Sequence, residues 1–204
     1  MYLPKHFEHP DTAALHQLMR EHPLATLVTH SADGLTADHI PLEFDAASNT
    51  LRGHVARANP LWRAAAGQAV LAVFQGPHAY VSPNWYPAKT ATHKVVPTWN
   101  YAVVHAHGTL QVTESAPWLH ALVSRLTQHH ESTQPKPWAV SDAPDDYVQQ
   151  MLRAIVGIEV PVQRVVGKYK LHQNHTAENH VGVVQSLMQG DGTAQAVAAL
   201  MQRR

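Results

Sequence analysis

The stretch "TWNYAVVHAHGTLQVT", residues 98–113, is the longest run in the chain that reads as a single β-strand, and its alternation limits what the rest can fold into. Successive side chains of a strand point to opposite faces. Ala102, Val104, Ala106, Leu110 and Val112 share one face and are small and apolar. Trp99, Tyr101, Val103, His105, His107 and Thr109 share the other and are larger and mixed. The first face belongs in a core. The second cannot stay bare in a small sheet protein, so it is expected to form an interface or a pocket wall.

The flanking segments supply partners for this strand. "DTAALHQLMREH" predicts a helix capped by Asp11 and ended by Pro23. "LATLVTH" and "LTADHIPLEF" predict a hairpin over 24–44 around the turn "SADG", and "TLRGHVA" a third strand. "AVLAVFQG" and "AYVSP" read as two strands split by Gly76-Pro77. Residues 82–97 hold Pro83, Pro87 and Pro97 without periodicity and read as a long irregular loop. "SAPWLHALVSRLTQHHE" predicts a helix capped by Ser115, and "APDDYVQQMLRAIVG" one closed by Gly157. "IEVPVQRVVGKYKL" returns to strand, and "TAENHVGVVQSLMQ" and "GTAQAVAALMQ" close the chain as helices. Strand and helix do not alternate regularly, so a parallel doubly wound sheet is not expected. Six or so short antiparallel strands with peripheral helices make the expected class mainly β (α+β), a small barrel.

Composition narrows the chemistry. The 204 residues include no cysteine, which excludes disulfides and thiolate sites. Lys plus Arg and Asp plus Glu are 15 each, so no general basic excess invites nucleic acid. No apolar run approaches the ~18 residues of a membrane helix. "MYLPKHFEHP" lacks the pattern of a secretory signal, so no membrane and a cytoplasmic location are expected. The 17 histidines make net charge sensitive to pH below neutrality.

"GHVARANPLW", residues 53–62, reads as a strand running into a helix, with Asn59 as cap, Pro60 at the first helical position and Gly67 past the end. Arg57 at the junction has two readings. It is a phosphate or carboxylate contact beside a helix N-terminus, or a surface arginine near an ordinary cap. His105 and His107 lie ~6.6 Å apart on one strand face. They form a packed or interface row, or two ligands of a metal that would need further ligands, His39 and His54 being candidates. Ser82 in "YVSPNWY" lacks the flanking glycines of a nucleophile elbow. Trp85, Tyr86, Trp99 and Tyr101 are core aromatics or a stacking surface for a planar ligand. Lys168 and Lys170 read as a solvated sheet edge or a second anion contact. The final two helices, around "MQGDGTAQ", are the one candidate for a DNA-reading pair, and the second is basic only at Arg203 and Arg204.

The strings "MYLPKHF", "GHVARANPLW", "FQGPHAYVSPNWY", "KVVPTWNYAVVHAHG", "AIVGIEV" and "GKYKLHQN" together resemble the PaiB family of negative transcriptional regulators. The family is related to the flavin-binding split barrels, the fold of pyridoxamine phosphate oxidase. The resemblance implies a six-stranded antiparallel FMN-binding split barrel over residues 1–182, with helical insertions, and a C-terminal helical tail over 183–204. It implies a homodimer that binds FMN where the two subunits meet. His39, Ile40 and Pro41 would line the isoalloxazine edge with His54 and Val55. The phosphate would lie against Arg57 and the turn at Ala58 and Asn59. Trp99 and Asn100 would come from the partner subunit. No catalytic residue and no metal ligand is carried over. The family name implies repression and hence DNA as a partner. A flavin site on this fold equally suits an FMN-dependent oxidoreductase.

Overall fold

The computed structural model describes residues 1–31 and 34–203. Ala32 and Asp33 of the expected "SADG" turn, and Arg204, lie outside the described residues. The strands are β1 (Leu24–Ser31), β2 (Gly34–Pro41), β3 (Glu43–Asp45), β4 (Thr50–Ala56), β5 (Ala69–Val81), β6 (Thr98–Thr109), β7 (Gln111–Thr113) and β8 (Ile155–Lys170). They form one 8-stranded sheet in the order β2-β1-β5-β6-β8-β4-β3, with β7 beside β8. Six of them are long; β3 and β7, with 3 residues each, are the far ends of the expected strands "LTADHIPLEF" and "TWNYAVVHAHGTLQVT", so the sheet has eight strands where six were expected. The pairs β1–β2, β1–β5, β3–β4, β4–β8 and β7–β8 are antiparallel.

The helices are α1 (Thr12–Glu21), α2 (Leu61–Ala64), α3 (Ala88–Thr92), α4 (Ala116–Glu131), α5 (Asp145–Arg153), α6 (Ala177–Met188) and α7 (Gly192–Gln202). Side-chain oxygens supply partners for N–H groups that a first turn leaves free. Asp11 Oδ1 accepts from Ala13 N at 2.9 Å, Ser115 Oγ from Trp118 N at 3.4 Å, and Asp191 Oδ1 from Ala194 N at 2.9 Å.

The chain separates into two compact units. One comprises Met1–Leu18, Gln75–Val104 and Val166–Arg204, and its core holds Leu15, Ala102, Val183, Leu187 and Met201. The other comprises Met19–Phe74 and His105–Val165, around Leu27, Leu51, Phe74, Leu110 and Ile158. The boundary implied at residues 182 and 183 falls inside α6, and α6 and α7 both belong to the first unit.

The alternation along β6 is as expected on the core side: Ala102, Val104 and Ala106 are buried, and Tyr101, His105 and His107 are half-exposed. Three local expectations are corrected. "LTADHIPLEF" is two strands, because buried Leu42 leaves the ladder and its N–H donates to the Pro23 carbonyl at 2.9 Å. Gly76-Pro77 does not break β5: a Cβ on Gly76 would stand 2.9 Å from Leu18 Cδ1 and 3.1 Å from the Ala102 oxygen, so the glycine marks close approach. Gly157 does not end a helix but lies inside β8, where a Cβ would meet Thr113 Cγ2 at 2.6 Å and the Trp118 ring. The segment 82–97 also carries a 3-10 turn, Pro83–Trp85, and α3.

Gly108 is the tightest test of this packing, since a Cβ there would lie 2.6 Å from Val160 Cγ1 and against the Pro161 carbonyl. Gly108→Ala is expected to destabilise the fold by about 1–3 kcal/mol, several degrees of melting temperature. Gly192→Ala, with nothing within 4 Å, is expected to leave the melt unchanged or raise it slightly. Thermal denaturation of the two variants checks the contrast.

Candidate functional site

The second unit brings the segments His39–Pro41 and His54–Asn59 together. A Cβ on Gly53 would stand 2.9 Å from the Pro41 oxygen and 3.4 Å from Ile40 Cγ2, so β4 passes hard against the end of β2. Asn59 ties the turn after β4 to β2: its Nδ2 donates to Asp38 Oδ1 at 2.8 Å, and its Oδ1 accepts from Leu61 N at 2.9 Å. Asn59 therefore caps α2, as its sequence context predicts, and anchors the turn as well. His39, Pro41 and Ala58 are exposed, and Ile40 and Val55 are buried in the core. Neighbours on a strand face opposite ways, so His54 and Val55 do not present side chains to one surface. His54 stands opposite Gly157 in the β4–β8 ladder. Its Nδ1 is buried without a hydrogen-bond partner, and burial pushes the imidazole below its ordinary pKa.

Arg57 is occupied by its own chain. Its backbone N–H donates to the Ala154 carbonyl at 2.8 Å. Its Nε donates to the Arg153 carbonyl at 2.7 Å, Nη2 to the Ile155 carbonyl at 3.2 Å, and Nη1 to the Glu114 carboxylate. Three of the five guanidinium N–H groups are thus engaged. The helix it precedes has 4 residues, too few for aligned peptide dipoles to build a field. A second cation stands nearby that the sequence did not single out. Trp62 Nε1 donates to the Arg57 carbonyl at 3.0 Å, and the guanidinium of exposed Arg63 stacks 3.9 Å over the Trp62 ring, with that of Arg57 at 6.0 Å. The signal for it was an arginine beside a tryptophan in the first turn of a helix.

The remaining candidates lie elsewhere. Trp99 is 52% exposed in the first unit, with Tyr80 and His78 rings 6.0 and 6.2 Å away. Asn100, placed by the resemblance at a subunit boundary, is 0% exposed. It has the core-facing parity of Ala102 and Val104, its Nδ2 donates to Met201 Sδ at 3.3 Å, and its Oδ1 meets His172 Nδ1 at 2.9 Å. Its amide is held inside its own chain. Ser82 Oγ accepts from Asn84 N at 3.2 Å as a turn cap. The rings of His105 and His107 are 6.4 Å apart, and no group of three possible metal ligands exists among the described residues. Lys168 is not a solvated edge residue: it is 9% exposed, its Nζ donates to the Tyr2 carbonyl at 3.2 Å, and it lies 5.4 Å from the Tyr101 ring centre. The face of α7 carrying Val197, Ala198 and Met201 is buried.

A polar chain runs through the core of the first unit. An amide oxygen only accepts, so His172 Nδ1 carries the proton toward Asn100, and Nε2 accepts from the Tyr86 hydroxyl at 2.8 Å. His172 holds a left-handed backbone, φ 66°, a conformation seldom taken by residues with a side chain. Burial, then the neighbouring His175 and Lys170, push its pKa down to about 4.

This sheet with its peripheral helices is the fold of the flavin-binding split barrels. A FAD- and heme-binding protein of Mycobacterium smegmatis matches it with a TM-score of 0.59 at 15% identity, covering 86% of this chain and 78% of that one. The profile of the family described as "Putative FMN-binding domain" matches residues 1–164. The protease synthase and sporulation protein PAI 2 of Bacillus subtilis is 32% identical over 209 residues, 99% of this chain and 97% of that protein. An uncharacterized protein of Aspergillus fumigatus is 33% identical over 234 residues, 91% and 90% of the two chains. The chain belongs to this PaiB-type FMN-binding family, and FMN is its cofactor. No helix among the described residues is long and apolar enough to cross a membrane.

Two outcomes follow for stability. Arg57→Ala removes charge-assisted bonds to two carbonyls and should cost about 1–2 kcal/mol, whereas Glu114→Ala, which loses one exposed ion pair, should cost well under ~1 kcal/mol. Urea denaturation separates them. The second concerns acid. His172 is protonated near 6.5 when unfolded and only near 4 when folded, so between those values the unfolded chain binds more protons. Stability is therefore expected to be full above 6.5 and to fall as pH drops through that window. His172→Asn, which tolerates the left-handed backbone and does not titrate, should reduce the slope in denaturation curves taken across it.

Proposed function

We propose that FMN lies along the end of β2 and the turn after β4, in a homodimer, and that the flavin-loaded protein acts as a PaiB-type repressor. The observation that carries the site is the unpartnered Nδ1 of His54 beside two segments that the packing of Gly53 and the Asn59–Asp38 bond hold together. A buried polar atom without a partner is costly, and a polar heterocycle that engages or reorients the imidazole relieves it. His39, Pro41 and Ala58 offer exposed surface to the ligand, and Ile40 and Val55 shape it from the core side. The two remaining N–H groups of Arg57, with the guanidinium of Arg63, hold the phosphate. The partner's Trp99 covers the ring, and Asn100 acts only within its own subunit. When bound, FMN supplies hydride or electron chemistry and a visible chromophore.

The repressor reading is supported by full-length similarity to the Bacillus subtilis sporulation protein. The formal net charge of +0 leaves little long-range attraction for DNA, so its contact with an operator is weak and steeply dependent on salt. Adding NADH or NADPH to the FMN-loaded protein separates the alternatives. A regulator keeps its flavin absorbance and retains a specific DNA fragment. An oxidoreductase bleaches rapidly and turns over.

The phosphate assignment has its own test. Arg63→Ala is expected to weaken FMN roughly tenfold and to leave riboflavin, which lacks the phosphate, unchanged. Titration by flavin fluorescence quenching reads both. An unaltered preference for FMN over riboflavin would remove Arg63 from the site.

A further inference from the structure

In the first unit, a cavity of about 200 Å³ opens beside the polar chain of Asn100, His172 and Tyr86. Its floor is buried: Asn100, Tyr86, His172 and Phe7 are at most 7% exposed. Its mouth, at Val96, Pro97 and His175, is open. Asn100, His172 and Tyr86 are hydrogen-bonded to one another or to Met201, and the imidazole is neutral at physiological pH. The polar chain is thus a rigid wall with little left to offer a ligand.

Lys170 is different. Its Nζ donates to Thr98 Oγ1 and to the Trp99 carbonyl, the latter at 2.9 Å, which leaves one of three N–H groups without a named acceptor. No ion pair to it exists among the described residues, and no Asp or Glu lines the cavity. Burial first, and then repulsion from the Lys168 ammonium, lower its pKa. A half-buried ammonium with two neutral acceptors and no counterion is an expensive arrangement unless an anion completes it.

We propose that this cavity binds a small monocarboxylate, its oxygens on Lys170 Nζ and the Asn174 amide and its apolar end against Phe7, Tyr86 and Pro97. Carboxylate is favoured over phosphate on charge: Lys170 is the one lysine or arginine lining the cavity among the described residues, and a single ammonium balances a monoanion but not a dianion. The volume lies below that of drug-sized sites, so the ligand is a short-chain acid. The site lies wholly within the first unit and does not rest on the flavin reading.

The probe is butyrate, with butyramide as its uncharged control, titrated into the full-length protein. The readouts are the imidazole C–H resonances of His172 and His175. Butyrate is expected to shift both saturably and butyramide to leave them in place. Lys170→Gln should weaken butyrate at least tenfold. Val96→Asp, a change at a side chain 72% exposed at the mouth, should weaken it as well, without touching the fold. Equal binding of butyramide, undiminished binding to a folded Lys170→Gln or Val96→Asp protein, or tighter binding of inorganic phosphate overturns the assignment. So does the absence of any saturable shift in the unaltered protein.

Discussion

The antiparallel ladder between β4 and β8, from Thr50 opposite Pro161 to Ala56 opposite Ile155, sets the position of the segment His54–Asn59 and of the groups packed on it. A shift of one residue would exchange the two faces of both strands. In the observed register Gly157 stands opposite His54, and the side chain it lacks leaves room for Trp118 of α4. The pairing continues past the strand end through the Arg57 N–H to the Ala154 carbonyl, and the guanidinium then spans the α5–β8 junction. Arg57 is where two distant pieces of chain are joined before it is anything a ligand could touch. The neighbouring Arg63 differs: its guanidinium makes no hydrogen bond to protein among the described residues and rests on Trp62.

The first unit solves a different problem, which is how to keep polar groups in a core. Asn100, His172 and Tyr86 are hydrogen-bonded in series, and Met201 takes one of the two Asn100 amide protons. Such a chain is stable only if no member ionises, and burial holds the imidazole neutral. The left-handed backbone at His172 is the local cost of turning the end of β8 so that the ring reaches both partners. The Lys170 ammonium sits within two residues of that ring and has only neutral acceptors among the described residues.

Much of this was legible in the chain. The parity of β6 was right for Ala102, Val104 and Ala106, but Val103 on the other face is buried too, and Asn100, expected at a subunit boundary, is buried as well; parity does not say which groups receive its amide. Caps at Asp11, Ser115 and Asn59 were legible because they act over two or three residues. Gly76 and Gly157 were read as breaks because glycine marks both a chain reversal and a close approach, and only the partner, Leu18 or Trp118, distinguishes them. Arg57 gave no sign of its ties, since Glu114 and Arg153 lie 57 and 96 residues away. Lys168 and Lys170 looked like a charged edge because alternation cannot tell water from the Tyr2 and Trp99 carbonyls.

The 17 histidines bear on how this protein meets charged partners. Burial lowers the pKa of His54, His105, His107, His172 and His175, so these five stay neutral where a free imidazole would begin to charge. Each takes up its proton more readily after unfolding, so acid lowers stability before these residues can contribute positive charge to the folded protein. The formal charge of +0 is thus not converted into a basic field by mild acidification of these sites. Contact with a polyanion such as DNA has to come from a few exposed cations in a fixed arrangement. Any such contact is short in range and sensitive to salt.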